Sequence, residues 1–174
     1  GADFTSTSGL LTFAPGEITK TVSVPIINDT AFEGAETLNV TLSGATNASI
    51  ATANGLITIN DDGTGTGGTN DDRGTVSVVG STVDEAAGVV TFTLSLSSAQ
   101  GLPVSVNYAT ADGTALAGAD YTATSGTANF AAGQTTATVS VALINDRVVE
   151  STEALQLDLT AAVNIHLGSS VATG

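Results

Sequence analysis

The sequence contains no cysteine, methionine or tryptophan, and its 174 residues include one histidine and three basic side chains. Without cysteine there is no disulfide framework, and small domains that lack one lean on metal ions or on repetition. Aromatic residues make up only 4%, so a core must be assembled from Val, Ile, Leu and Ala, which suits strands better than a deep ligand pocket. No apolar run approaches the roughly 18 residues of a membrane-crossing helix, and no leader segment opens the sequence, which starts in mid-pattern. Seventeen acidic residues face those three basic ones, for a formal net charge of −14. Nucleic acid and anionic membrane surfaces are repelled by such a chain, and cations are its natural partners.

What is present, above all, is an internal repeat. Gly1-Ala-Asp-Phe4 matches Gly118-Ala-Asp-Tyr121 at an offset of 117 residues. The same offset pairs Phe13 with Phe130, Gly16 with Gly133, Asp29 with Asp146, Glu33 with Glu150, and Glu36 with Glu153. A register kept over so long a stretch is too regular for chance. Between the copies, residues 63–74 are rich in Gly and Thr and read as a flexible linker. The expected organisation is a module at 1–62 lacking its N-terminal strands, the linker at 63–74, and a module at 75–174 lacking its final strand. The chain is expected to be an excerpt of a longer array.

Period-two alternation sets the secondary structure. Val90, Phe92, Leu94 and Leu96 alternate with Thr and Ser, as do Ala137, Val139, Val141 and Leu143, and Leu155, Leu157 and Leu159. In the first copy Val22, Val24 and Ile26, then Leu38, Val40 and Leu42, then Ile57 and Ile59 follow the same rule. Pro15-Gly16 and Ala132-Gly133 fall where a turn must separate two strands. No stretch carries a helical period. The fold class is all-β, with antiparallel sandwich modules of about seven short strands each.

The acidic residues are not scattered. Asp29, Glu33 and Glu36 share one interstrand loop, and Asp146, Glu150 and Glu153 repeat the spacing. Asp3, Asp61, Asp62, Glu85 and Asp120 stand at other strand ends. Single residues such as Asn107, Asp112 and Asp158 read as turn or surface positions. The repeated Asp-x-x-x-Glu-x-x-Glu does not, because crowded carboxylates repel unless protonated or bound to a cation. A hard cation such as Ca²⁺, which takes six to eight oxygens, fits this chemistry better than Mg²⁺.

Together, Gly-x-Asp-Tyr/Phe, Ser-Gly, Phe-x-x-Gly, Asn-Asp-x-x-x-Glu-x-x-Glu and a closing Asp-Asp resemble the Calx-β module over nearly all of the chain outside the linker. The resemblance implies immunoglobulin-like sandwiches that hold calcium at one end in their strand-connecting loops. It implies as ligands Asp3, Asn28, Asp29, the Ala31 carbonyl, Glu33, Glu36, Asp61 and Asp62 in the first copy. In the second it implies Glu85, Asp120, Asp146, the Val148 carbonyl, Glu150 and Glu153. Asn28 and Asn145 stand where strong binders carry Asp, which lowers the charge of each site.

Competing chemistries find little support. His166 has no second His or Cys nearby for a transition metal, and no Ser pairs with a His and an acid. The glycine-rich linker lacks the Lys-Ser/Thr ending of a phosphate loop. No enzyme is expected. Three Asn-x-Ser/Thr triplets, at Asn28, Asn39 and Asn47, are read as products of a Thr-rich composition. The leading expectation is a calcium-rigidified structural or adhesive segment of an extracellular or cell-surface protein, bacterial in character. Its partners would be calcium, neighbouring modules or other copies of itself, and a possible surface ligand. The alternatives are a self-assembling filament subunit completed by strand exchange, and a Ca²⁺ sensor module.

Overall fold

The computed structural model describes residues 3–29, 31–61, 72–146 and 151–174, so most of the expected linker, along with Asp62, Val148 and Glu150, lies outside the described residues. In chain order the strands are β1 (Glu36–Thr41), β2 (Asn54–Ile59), β3 (Thr75–Val79), β4 (Val89–Leu96), β5 (Val104–Asp112), β6 (Ser125–Phe130), β7 (Thr136–Ala142), β8 (Leu155–Val163), β9 (His166–Leu167) and β10 (Val171–Thr173). A 3₁₀ turn, Glu85–Ala87, stands among them. The chain forms two compact units, one of residues 1–30 and 37–59, the other of residues 31–36 and 60–174.

The larger unit is a two-sheet sandwich. One sheet runs β10-β8-β5-β6 and the other β7-β4-β3-β9. The alternation of β4 explains its place: Val90, Phe92, Leu94 and Leu96 are buried, while Thr91, Thr93 and Ser95 face outward. Val76 and Val78 of β3, Val104 and Val106 of β5, Val139 and Val141 of β7, and Leu155, Leu157 and Leu159 of β8 fill the space between the sheets. A fully buried side chain of this size contributes roughly 1.5–3 kcal/mol relative to exposure. Pairing is antiparallel throughout these sheets except between β3 and β9, which run parallel. The fold is the expected all-β sandwich. His166 is exposed in β9, where its amide donates to the Gly74 carbonyl at 2.9 Å.

Two of the residues read as turn or surface positions lie within strands, Asn107 keeping the surface part of that reading. Asn107 is exposed but sits within β5, accepting the Thr127 hydroxyl at 2.8 Å. Asp158 sits within β8, half-buried, with one carboxylate oxygen covered and without a hydrogen-bond partner. Turn propensity is a local preference, and cross-strand pairing overrides it in both places.

The smaller unit shows less of the expected pattern. β1 and β2 form a two-stranded sheet, with Leu38 buried. The strand expected at Val22–Ile26 is reduced to a bridge between Phe4 and Ile26. Val22, Ile26, Leu42 and Ile57 are all more than 40% exposed, although the alternation assigned them to a core. The physical reason is that a strand needs a partner on its edge and a layer on its face. In the larger unit β7 pairs with β4 and β8 with β5, whereas among the described residues of the smaller unit the segment Val22–Ile26 has only the Phe4–Ile26 bridge.

Candidate metal centre

At one end of the sandwich a cleft of about 510 Å³ opens between the loops, lined by Glu85, Asp120 and Glu153 together with Asp84, Ser151 and Thr152. Each acid arrives on a different element. Glu85 opens the 3₁₀ turn, which closes at Gly88 in the left-handed conformation that glycine adopts without strain. Its carboxylate accepts the Asp146 amide at 3.1 Å, joining the β3–β4 connection to the loop after β7. Asp120 lies in the connection from β5 to β6; its carboxylate accepts the Leu116 amide at 2.7 Å, and its carbonyl accepts the Ile144 amide at 2.9 Å. Glu153 precedes β8, where the neighbouring Ala154 amide donates to the Thr114 hydroxyl at 2.8 Å.

The electrostatics of the cleft are those of crowded like charges. The Glu153 carboxyl is held above its ordinary pKa, first by burial, then by the charge and hydrogen bond of Asp120, and then by the charge of Glu85. No basic side chain is among the described residues lining the cleft. An all-oxygen set with uncompensated negative charge fits a hard divalent cation.

A raised folded-state pKa means that the ion-free fold binds this proton more tightly than the unfolded chain does. Its stabilising contribution is complete below the ordinary glutamate value and is lost as pH rises through the folded value. At neutral pH the charged Glu153 therefore opposes folding. Glu153→Gln is expected to raise the melting temperature in EDTA at pH 7 and to weaken calcium binding by about tenfold or more, as loss of a ligand charge should. Calorimetric melting and titration would read both effects, and a lower melting temperature in EDTA would contradict this account of the charge.

The first-copy residues divide between the units. Asp3, Asn28 and Asp29 belong to the smaller one; Asp3 is half-buried and accepts the Ile27 amide through its carbonyl at 2.9 Å, and Asn28 and Asp29 are exposed. Ala31, Glu33, Glu36 and Asp61 belong to the larger unit and are half-buried. There, Glu33 and Glu36 offer carboxylate oxygens within 4.8 Å of one another. The Asp61 carboxylate accepts the Glu33 amide at 2.9 Å. Phe32, just before Glu33 in the chain, is buried, with its carbonyl taking the Gly101 amide at 3.1 Å and the Arg73 guanidinium 5.7 Å from its ring.

Of the predicted second-copy residues, the structure thus brings together Glu85, Asp120 and Glu153, with the Asp146 backbone alongside. Sequence reasoning missed the support beneath them. Tyr121, buried to 1% exposure, donates its phenol to the Asp112 carboxylate at 2.6 Å. The spacing of Asp112-Gly-Thr and Gly118-Ala-Asp-Tyr was the available signal, but a nine-residue separation does not reveal a contact by itself.

A β-sandwich whose interstrand loops gather carboxylates into one cleft has the architecture of a cation-binding module. The chain belongs to the Calx-beta family, whose domain model matches residues 1–63 and 69–172. Calcium is the ion bound by this family. The chain is 30% identical over 177 aligned residues to sodium/calcium exchanger 1 of Cavia porcellus and, equally, of Felis catus. Those alignments take in 91% of this chain but 18% of each exchanger, so the chain spans less than a fifth of the length of these relatives. Among solved structures it is similar to the apo form of the Calx CBD1 domain (TM-score 0.51, 23% identity, 57% of this chain and 95% of that one). It is likewise similar to CBD12 from CALX1.2 (TM-score 0.54, 26% identity, 57% of this chain and 43% of that one).

Proposed function

We propose that this chain is a calcium-binding segment of a tandem β-sandwich array, in which the ion neutralises the acidic loop end of a module and stiffens it. The observation that carries the reading is the Glu85–Asp120–Glu153 cleft, where burial and then the charges of Asp120 and Glu85 raise the Glu153 pKa, with no basic residue among the described lining. Glu85, Asp120 and Glu153 would supply carboxylate oxygens, with Asp146 alongside; Val148 and Glu150, implied by the family resemblance, lie outside the described residues. Glu33 and Glu36, with Asp61 accepting the Glu33 amide, would form a second acidic group in the first copy. Bound calcium supplies positive charge and a fixed coordination shell; the chain's part is to hold the oxygens at one place before the ion arrives.

Placement outside the cell, as part of a structural or adhesive protein, is supported by the Thr- and Gly-rich, lysine-poor composition. A second reading, a calcium sensor within a signalling or transport protein, is favoured by the 30% identity to sodium/calcium exchanger 1. Affinity separates the two. A structural extracellular module should bind with a Kd of about 10⁻⁴–10⁻³ M, and a sensor with about 10⁻⁷–10⁻⁵ M. Calorimetric titration of the chain with calcium is expected to give the weaker range; micromolar binding would favour the sensor, and no heat of binding with no change on chelation would remove calcium from both readings.

A further inference from the structure

Asp120 lies inside the connection between β5 and β6. Its position depends on how that connection is closed. Asp112, the last residue of β5, accepts two hydrogen bonds on one carboxylate oxygen, from the Tyr121 phenol at 2.6 Å and from the Ala117 amide at 2.9 Å. The loop is drawn tight between them: the Gly118 amide donates to the Tyr121 carbonyl at 2.8 Å, and Gly118 takes φ +89°, open to glycine with little strain. On the far side, the Thr122 amide donates to the Ala142 carbonyl at 2.9 Å and so secures the chain to the end of β7. Asp120 is therefore held immediately before a buried tyrosine that is bonded back to the start of its own loop.

We propose that Asp112 and Tyr121 act as a positioning latch for calcium: they hold Asp120 against the repulsion of Glu153 and Glu85 so that the cleft is arranged before the ion binds. The proposal rests on the calcium-binding reading above. Neither latch residue is a ligand. A donor group held in place by an outer hydrogen bond binds metal more tightly than one that must be ordered on binding, and loss of such support weakens affinity by roughly tenfold or more. The first copy differs at this point, since Phe4 stands at the position of Tyr121 and has no hydroxyl to donate.

The test is calorimetric calcium titration of the whole chain and its variants. Tyr121→Phe keeps the buried ring and removes only the hydroxyl, and Asp112→Ala removes the acceptor. Each is expected to weaken calcium binding roughly tenfold. The double variant should be no weaker than Asp112→Ala alone, because that variant already lacks the Tyr121 bond. Asp112→Asn retains a carbonyl acceptor and should bind nearly as wild type. Val139→Ala, a core change in β7 away from the loop, should lower the melting temperature while leaving the Kd unchanged, which separates positioning from general stability. Wild-type affinity in Tyr121→Phe, whatever its melting temperature, would overturn the latch and leave the calcium reading intact. A wild-type chain that binds no calcium would overturn both.

Discussion

Calcium at a hundredfold excess over its Kd is expected to raise the melting temperature of the sandwich by roughly 10–20 °C over the value in EDTA. An ion that binds only the folded state stabilises it by RT ln(1 + [L]/Kd), about 2.7 kcal/mol at that excess. For a unit of roughly 100 residues, each kcal/mol moves the midpoint by about 4–8 °C. The structural reason is that chelation leaves Glu85, Asp120 and Glu153 facing one another with their repulsion uncompensated. The same experiment with sodium chloride in place of calcium should show a much smaller rise, because salt screens exposed charges without occupying the cleft. Scanning calorimetry in calcium, in EDTA and in matched salt would decide it. Equal midpoints in all three would remove the ion from the stability of this fold.

The second large effect contrasts two residues that the repeat makes equivalent. Phe13 and Phe130 are 117 positions apart and occupy the same place in the motif. Phe130, in β6, is 1% exposed and packs in the core, whereas Phe13 is 51% exposed. Phe130→Ala is expected to cost about 3–5 kcal/mol, from lost burial and the cavity left behind. Phe13→Ala should change stability by no more than about 0.5 kcal/mol. Chemical denaturation followed by circular dichroism would measure both. A comparable loss in the two variants would show that Phe13 is covered in solution.

Much of the local structure was legible because it is written in short range. The turns at Pro15-Gly16 and Ala132-Gly133 both form, with Gly16 and Gly133 at φ +86° and +80°. Both are closed in the same way: the Ala14 amide donates to the Glu17 carboxylate at 3.0 Å, and the Ala131 amide to the Gln134 side-chain carbonyl at 3.1 Å. A turn of this kind is satisfied by its own four residues, so a turn-forming sequence suffices to specify it in either copy. The convergence of Glu85, Asp120 and Glu153 was also foreseen, through the family motif and the carboxylate spacing. The Asp112–Tyr121 bond was not. Asp112 read as a turn or surface residue; it is exposed at the end of β5 and accepts the Ala117 amide, and its second partner arrives by folding of the whole loop.

The chain's period-two alternation and 117-residue repeat determined that it would be all-β and modular, and its acidic motifs carried the resemblance to the Calx-beta family. Which apolar residues are buried was decided only in three dimensions. Leu155, Leu157 and Leu159 of β8 are buried with β5 on their edge and the second sheet on their face. Their counterparts Leu38, Val40 and Leu42 grade from buried to exposed. The alternation is the same in both, because it records only which side of a strand is apolar. Burial depends on a second layer, and that layer is built from residues far away in the sequence.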